Sequence, residues 1–345
     1  MHFQSAQLVL RQNPFVFIIK SMAKIKVGIL RGGPSSEYDV SLKTGGAALK
    51  HLDQKKYGAS DVLISKNGVW HLGGIETEPH KVFRSIDVAF NAMHGEYGED
   101  GTVQKILEAH NVPYTGSGVF ASATAMHKRL ARDIFGISGI KIPPAVSVKA
   151  GEDIPAKASE AVRKMLFPMV VKPASRGSSV GISIAEDIYV LILAASGALK
   201  YDDEILIEKF ISGREATCAV LEDFREQKHY AFPVIEIIPP ARKKLFDYES
   251  KYDGSAQEIC PGRFSPELSE RMKKMAVVAH QSLGCRHYSR ADFRIDEKGR
   301  PYLLEVNTLP GFTSESLYPK AASAVGLEFP QLLEHLITLA IKNPA

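Results

Sequence analysis

The most constraining feature of the sequence is an apolar run that ends in a glycine-rich turn and is followed by helix-compatible residues. Residues 24–30 read KIKVGIL, residues 32–34 are Gly-Gly-Pro, and a helix is predicted over about 40–52. A strand, a tight turn and a helix in this order are typical of a parallel α/β unit. Further strands are predicted at 62–64 and 88–90. The first part of the chain is therefore expected to form a parallel α/β sheet.

A later helix is predicted directly after Asp100, which is placed to act as its N-cap. Its apolar face should contain Val103, Ile106, Leu107 and His110. From residue 145 onward the pattern changes to strands mixed with helices, which is typical of an α+β arrangement. The predicted strands are 169–172, 181–185, 205–208, 216–221, 232–238, 290–295 and 302–306, and the predicted helices are 266–283 and 330–341.

Composition limits the function classes. With 345 residues, 45% hydrophobic and 24% charged, the chain is long enough for two or three globular domains. The net charge of +4 is scattered, which gives no support for nucleic-acid binding. Three cysteines without CxxC spacing argue against a disulfide framework or a zinc site and favour a reducing cytoplasm. Residues 1–23 are interpreted as a disordered extension, because the apolar run 15–19 is too short to cross a membrane. A membrane-surface anchor is the alternative.

The strongest chemical signal is a predicted hairpin of two strands at 290–295 and 302–306. Because side chains alternate along a strand, Arg290 and Asp292 should share one face, and Glu305 and Asn307 should share the facing one. Two carboxylates and an amide oxygen are hard ligands of the kind that Mg²⁺ takes together with nucleotide phosphates. A merely solvated strand face is the alternative for each residue alone. The opposite face is predicted to be core, with Phe293, Leu304 and Val306.

Two loops are candidates for ligand contacts. A Gly/Ser loop at 174–181 joins two predicted strands and follows Lys172, so it is suited to covering phosphates. It is not a P-loop, since the GxxxxGK[ST] order is absent, and a flexible hairpin is the alternative. The second loop, at 307–313, offers backbone N–H groups suited to stabilising an oxyanion, because Gly311 lets a substrate approach closely. An ordinary loop is the alternative. Glu208, at the end of the strand 205–208, is a candidate for binding a ribose hydroxyl.

Two early motifs make the chain resemble the D-alanine:D-alanine ligases of the ATP-grasp family. The sequence GGPSSEYDVS at 32–41 resembles the family's first substrate motif, in which Glu37 would hold the ammonium of the first D-alanine. The sequence HGEYGEDG at 94–101 resembles the family's HGxxGEDG turn, which would place His94 beside the same substrate. The similarity extends over about residues 24–339.

The same resemblance implies a nucleotide site. In the segment Met126-His127-Lys128 the lysine would contact phosphate, although the family usually has an aspartate where His127 stands. The resemblance also places Ser178 and Ser179 in the lid loop over the phosphates. The other implied nucleotide contacts are Lys172, Glu208, Lys209, Phe210, Ile211, Glu215 and Lys251.

Further roles follow from the resemblance for the closing loop and the catalytic hairpin. Tyr252, Ser178 and Glu37 would form a hydrogen-bonded link that closes the site, and the tyrosine is similar to ligases that accept amines rather than D-lactate. Arg290 would stabilise the transition state. The remaining implied roles are metal ligation by Asp292, Glu305 and Asn307, oxyanion donation by Gly311, and binding of the second substrate's carboxylate by Ser316 and Leu317.

The fold implied by the resemblance is an ATP-grasp fold of mixed α/β and α+β class with an N-terminal Rossmann-like domain. The implied divisions are 24–120 for the N-terminal domain, 121–215 for a central subdomain and 216–345 for a C-terminal subdomain. The implied reaction joins two D-alanines through D-alanyl phosphate, using ATP and two Mg²⁺ or Mn²⁺ ions, in a cytoplasmic homodimer that serves peptidoglycan synthesis. The alternatives are a D-alanine:D-lactate or other dipeptide ligase, and a nucleotide-binding scaffold without turnover.

Overall fold

The computed structural model describes residues 24–177, 181–240 and 256–343. Ser178, Ser179, Lys251 and Tyr252 therefore lie outside the described residues. The first sheet of the described chain has the order β4-β3-β2-β1-β5, and β1 pairs in parallel with both β2 and β5. This confirms the predicted parallel α/β unit. Its strands are β1 (Ile25–Gly32), β2 (Tyr57–Ile64), β3 (Trp70–Leu72), β4 (Ile75–Glu76) and β5 (Val88–Asn91).

The helices around this sheet are α1 (Tyr38–His51), α2 (Pro79–Phe83) and α3 (Thr102–Ala109). They are followed by α4 (Val119–Met126) and α5 (Lys128–Ile137), which contribute to the core of the third sheet described below. The prediction that Asp100 caps α3 is wrong, because the N-cap residue is Gly101 with a φ of +93°. Asp100 instead accepts hydrogen bonds from the backbone N–H groups of Tyr97 and Thr102, at 2.9 Å each. It stabilises the turn that precedes the helix. His110 is exposed rather than part of the apolar face.

A second sheet has the order β6-β9-β7-β8, with antiparallel pairs throughout. It contains β6 (Ala145–Lys149), β7 (Met169–Pro173), β8 (Ser183–Ala185) and β9 (Glu204–Lys209), with α6 (Ile154–Lys164) and α7 (Ile188–Ala198) packed against it. The Gly/Ser loop connects β7 to β8, as predicted from the sequence.

The third sheet carries the predicted carboxylate hairpin and has the order β13-β12-β10-β14-β15, with β11 paired to β10. The predicted strand 232–238 is shorter than expected, since only residues 235–238 form a strand. The strands are β10 (Arg214–Phe224), β11 (Gln227–Ala231), β12 (Ile235–Ile238), β13 (Gln257–Ile259), β14 (Tyr288–Ile295) and β15 (Pro301–Asn307).

Helix α8 (Pro266–Ser282) covers one face of the third sheet. It begins where Ser265 accepts a hydrogen bond from the Leu268 N–H at 3.3 Å and Pro266 occupies the first turn, and Gly284, with a φ of +68°, follows its end. Small residues on its buried side, such as Ala276 and Ala279, let the helix pack closely on the sheet.

The C-terminal helices connect the third sheet to the first. Helices α9 (Leu317–Ser323) and α10 (Phe329–Lys342) share one apolar core with β1 and β5. Phe312 stacks at 5.8 Å, centroid to centroid, on Phe90 of β5. This contact anchors the loop after β15 against the N-terminal sheet. Ligand-contacting residues were predicted both in this loop and in the N-terminal domain. None of the described helices combines the length and apolar character that a membrane crossing requires.

Candidate active site

The hairpin of β14 and β15 brings its four predicted polar residues together. Arg290 pairs directly with Asn307, and Asp292 pairs directly with Glu305. Directly paired residues in an antiparallel sheet carry their Cβ atoms about 4.5–5.5 Å apart on the same face. The predicted pairing of a basic, two acidic and an amide side chain is therefore confirmed.

A β-bulge alters the opposite face. The register shifts between Asp292 and Phe293, so that Phe293 pairs with Leu303 and Leu304 is left without a partner strand residue. Leu303 is fully buried and Leu304 only partly, so the prediction of Leu304 as core is wrong. The extra residue lets Leu303 and Val306 both face the core while Glu305 and Asn307 stay on the polar face.

Arg290 and Asp292 form a rigid pair. The Arg290 Nε and Nη2 atoms donate to the two carboxylate oxygens of Asp292, at 2.8 Å each. The Thr217 hydroxyl on the neighbouring strand β10 donates to Asp292 Oδ1 at 2.7 Å. Two-point contact of this kind fixes the plane of the guanidinium. Asp292 thereby orients the guanidinium of Arg290. Arg290 lines the pocket described below.

Three side chains of the hairpin offer oxygen atoms to a divalent cation, namely Asp292, Glu305 and Asn307. The Glu305 carboxylate is half-buried and makes no hydrogen bond or ion pair with the described residues. Asn307 Oδ1 accepts the Leu309 N–H at 3.1 Å and has a second lone pair for a cation. Asp292 stands directly opposite Glu305, so its carboxylate lies on the same face of the hairpin. An all-oxygen set of this charge suits Mg²⁺ or Mn²⁺, so these residues fit the predicted metal.

Glu37 faces the hairpin from the first domain. It is the N-cap residue of α1 and is only 9% exposed, yet its carboxylate makes no hydrogen bond or ion pair within the described chain. Gly95, at a φ of +70°, and Gly177 both pass close to it. A Cβ atom added at Gly177 would lie 2.8 Å from Glu37 Oε1, and one at Gly95 would lie 3.4 Å away. A buried carboxylate without a protein cation is suited to a cationic ligand.

His94 is held from both sides of its ring. Its Nε2 lies 2.8 Å from the Thr44 hydroxyl, and its Nδ1 lies 3.3 Å from Glu99 Oε1. Burial raises the pKa of Glu99, and the hydrogen bond with His94 opposes that rise. Sequence reasoning did not assign roles to Thr44 and Glu99. Glu99 stands in the quoted HGEYGEDG motif, whereas Thr44 is 50 residues from His94 and carried no signal.

Lys128 begins α5 and reaches into the pocket with only 9% of its surface exposed. Its Nζ donates to the carbonyl of Arg176 in the Gly/Ser loop, and its backbone N–H donates to the Ala174 carbonyl at 2.7 Å. The preceding His127 makes no side-chain cap for the helix. Its Nε2 lies 3.6 Å from Glu204, so it contacts an acid of the second sheet instead of Lys128.

One pocket unites these elements. It contains seven of the predicted site residues, which come from four separate stretches of the sequence. They are Glu37, His94, Lys128, Arg290, Glu305, Asn307 and Gly311, and the remaining lining residues are Glu99, Ala125, Met126, Gly177, Val306 and Thr308.

Several predicted nucleotide residues lie beside the pocket rather than in its lining. Lys172 Nζ and Arg132 Nη1 hold the buried Glu208 carboxylate at 2.8 and 2.7 Å. Glu215 pairs with Arg294 at 2.6 Å. The ribose contact of Glu208 stays a prediction. The same holds for the nucleotide roles of the residues that end or follow β9, namely Lys209, Phe210 and Ile211, and of Ser179 and Lys251, which lie outside the described chain.

Ser316 lies next to Gly311 in the loop after β15. A Cβ atom added at Gly311 would lie 3.2 Å from the Ser316 hydroxyl, which also accepts the Thr313 N–H at 3.1 Å. Leu317 is the first residue of α9. Their predicted contact with a second substrate is compatible with this location, and the predicted link from Glu37 to Ser178 and Tyr252 remains a prediction.

Comparison with known protein families gives matches over most of the chain. A family described as D-ala D-ala ligase C-terminus matches residues 134–338, and one described as D-ala D-ala ligase N-terminus matches residues 26–82 and 74–117. A D-alanine–D-alanine ligase of Geobacter sulfurreducens is 43% identical over 318 residues, which covers 91% of this chain and 94% of that protein.

Solved structures show the same likeness. The D-alanine–D-alanine ligase of Bacillus anthracis, solved in complex with ATP, superposes with a TM-score of 0.77 at 32% identity and covers 92% of this chain and 98% of its own. The VanG D-Ala:D-Ser ligase of Enterococcus faecalis gives a TM-score of 0.80 at 30% identity, over 92% of this chain and 100% of its own.

Proposed function

The chain belongs to the D-alanine–D-alanine ligase family, and on that premise we propose that its pocket joins two molecules of D-alanine at the expense of ATP. It is an ATP-dependent ligase with the ATP-grasp fold, and its product serves peptidoglycan precursor synthesis. The observation that carries the proposal is the convergence of Glu37, Lys128, Arg290 and Glu305 on one pocket.

The first step forms an acyl-phosphate. Glu37 binds the ammonium of the first D-alanine, which presents the carboxylate of that substrate to the γ-phosphorus of ATP. A carboxylate oxygen forms a bond to phosphorus while the bond to the ADP oxygen breaks. Lys128 compensates the charge on the phosphoryl oxygens. A divalent cation held by Asp292, Glu305 and Asn307 would neutralise further phosphate charge when bound.

The second step forms the peptide bond. The amine of the second D-alanine, after losing a proton, attacks the acyl carbon and gives a tetrahedral oxyanion. Arg290, oriented by Asp292, and the Gly311 N–H donate to that oxyanion. The C–O bond to phosphate then breaks, and phosphate leaves with the oxygen that came from the first substrate. Ser316 and Leu317 bind the carboxylate of the second D-alanine.

Water has to be excluded between the two steps, because it would hydrolyse the acyl-phosphate. The close approach of Gly177 to Glu37 supports a role of the Gly/Ser loop in covering the first substrate. We propose that Ser178 and Tyr252 complete this closure with Glu37, and that Lys251 joins Lys172 at the phosphates.

The identity of the second substrate is the point on which relatives differ. The likeness to a D-Ala:D-Ser ligase favours D-serine as the alternative acceptor, and D-lactate would indicate an ester-forming enzyme. We propose D-alanine, since the likeness to the Geobacter sulfurreducens ligase is greater in identity. We further propose that the enzyme is a cytoplasmic homodimer. Light scattering of the purified protein tests the dimeric state.

The experiment is phosphate release from ATP and Mg²⁺ with D-alanine, L-alanine, D-alanine plus D-serine, or D-alanine plus D-lactate, with mass analysis of each product. We expect release with D-alanine and a product of two D-alanines joined by an amide. Asp292→Asn serves as the matched inactive protein. Equal release with L-alanine, or the absence of D-alanyl-D-alanine, would contradict the proposal.

A further inference from the structure

A cluster of metal-binding side chains lies outside the pocket, where β10, β11 and α8 meet. It consists of Glu222, His229 and His280. Glu222 and His229 are direct partners across the β10–β11 hairpin, and His280 projects from the last turns of α8. One ligand atom from each residue lies within 4.8 Å of the other two. Three different elements therefore converge on one point.

Two distances within the cluster are close to those between ligands of one shared cation. His280 Nε2 lies 3.4 Å and His229 Nε2 lies 3.7 Å from Glu222 Oε1. Hydrogen bonds to a carboxylate are usually about 2.7–2.9 Å. Two ligands of a tetrahedral Zn²⁺, each about 2.0–2.2 Å from the metal, are separated by about 3.3–3.6 Å.

Each candidate ligand is also oriented by a second contact. The His287 N–H donates to Glu222 Oε2 at 2.7 Å, which leaves Oε1 turned toward the two histidines. His280 Nδ1 lies 2.8 Å from the Ser289 hydroxyl, which can accept its N–H. His229 Nδ1 lies 3.1 Å from Gln281 Nε2, and turning the Gln281 amide over places its oxygen there to accept the Nδ1–H and leaves Nε2 for the metal. Contacts of this kind hold a ligating histidine with its other nitrogen facing the metal.

The cluster is separate from the ligase pocket. Ser289 and Arg290 are successive residues of β14, so their side chains point to opposite faces of the sheet. Ser289 faces α8 and the cluster, whereas Arg290 lines the pocket. His280 is fully buried, while the His229 and Glu222 side chains keep 14% and 17% exposure. The cluster is therefore open to solvent on the side of His229 and Glu222.

We propose that Glu222, His229 and His280 form a binding site for a zinc-class divalent cation that joins the β10–β11 hairpin to α8. Two imidazoles and one carboxylate select Zn²⁺, Ni²⁺ or Cu²⁺ over Mg²⁺, which prefers oxygen ligands. The cysteines of the chain take no part. The site is structural, and it is independent of the cation held by Asp292, Glu305 and Asn307.

The test is a titration of the full-length protein with Zn²⁺ in the presence of excess Mg²⁺, followed by a Tm measurement with and without Zn²⁺. We expect one saturable Zn²⁺ per chain and a higher Tm with Zn²⁺. His229→Gln should weaken Zn²⁺ binding by at least about 100-fold, since even outer-shell losses cost 10- to 100-fold. The same change at the exposed His80 is the matched control and should leave Zn²⁺ binding unchanged.

Glu305→Gln separates this site from the ligase site. It should retain the Zn²⁺ stoichiometry while it loses turnover, and His229→Gln should retain turnover while it loses Zn²⁺. Anomalous diffraction at the zinc edge should place the ion between His229 and His280. The proposal is overturned if wild-type protein binds no saturable Zn²⁺, if His229→Gln binds it equally well, or if the ion lies in the ligase pocket.

Discussion

Glu37→Gln is expected to lower activity and raise thermal stability at the same time. The carboxylate is 9% exposed, makes no ion pair within the described chain and is assigned to the substrate ammonium. Losing a hydrogen bond to a charged group costs about 1.5–3 kcal/mol. At about 1.36 kcal/mol per decade, kcat/KM for D-alanine should fall by about 10- to 150-fold.

The stability effect has the opposite sign. As N-cap residue of α1, Glu37 gains about 0.3–1 kcal/mol from the helix dipole. Leaving a buried polar group unsatisfied costs about 1–3 kcal/mol, and more for a charged group. Glu37 also repels Glu99, since its charge contributes to the raised pKa of that residue. The destabilising contributions are larger, so the neutral glutamine should raise the Tm of the ligand-free enzyme.

The assay is the initial rate of phosphate release over a range of D-alanine concentrations, paired with thermal melts without ligand. Glu76→Gln, which removes an exposed carboxylate on β4, is the control and should change neither quantity. A Glu37→Gln variant with normal kcat/KM, or with a lower Tm at reduced activity, would show that the carboxylate stabilises the fold and does not bind substrate.

Three further predictions concern the hairpin and its sheet. Glu305→Gln should remove most ADP release at saturating Mg²⁺ while far-UV circular dichroism stays unchanged, and near-normal turnover would refute its assignment as a metal ligand. Thr217→Val removes a donor to Asp292 and should lower stability by about 0.5–1.5 kcal/mol, together with kcat; an unaltered kcat would exclude a positioning role. Burial opposes ionisation of Glu236, but its ion pairs with Arg263 and Arg214 outweigh it and lower the pKa of Glu236. Its stabilising effect should be present above about pH 4.5 and be lost as the pH falls further, so the Tm difference between wild type and Glu236→Gln should shrink below pH 4.5; a constant difference would contradict this.

Local rules were sufficient to predict the catalytic hairpin. The period of two along each strand was enough to place Arg290 with Asp292 and Glu305 with Asn307, because it depends only on neighbouring residues. The direct pairing of Asp292 with Glu305 depends in addition on the bulge. The bulge at Leu304 was missed, since one inserted residue in an apolar run leaves no compositional sign. The bulge is explained by tertiary packing, because it allows Leu303 to be buried.

Contacts between distant segments were the least predictable part of the site. Arg132 and Glu208 are 76 residues apart, and their ion pair occupies a carboxylate that was expected to be open to a nucleotide. Thr44 contacts His94 because α1 packs on β1, where its Ser41 hydroxyl also donates to the Ala92 carbonyl just after β5. Such partners depend on how the sheets are placed against each other, which alternation and turn chemistry do not determine.

The most direct test of the central claim follows the oxygen atoms of the first substrate. D-alanine labelled with ¹⁸O in its carboxylate is incubated with enzyme, unlabelled ATP and Mg²⁺, and the released phosphate is analysed by mass spectrometry. Formation of an acyl-phosphate in this pocket predicts one ¹⁸O atom in each phosphate released during dipeptide synthesis. Phosphate without label, accompanied by D-alanyl-D-alanine, would contradict that mechanism.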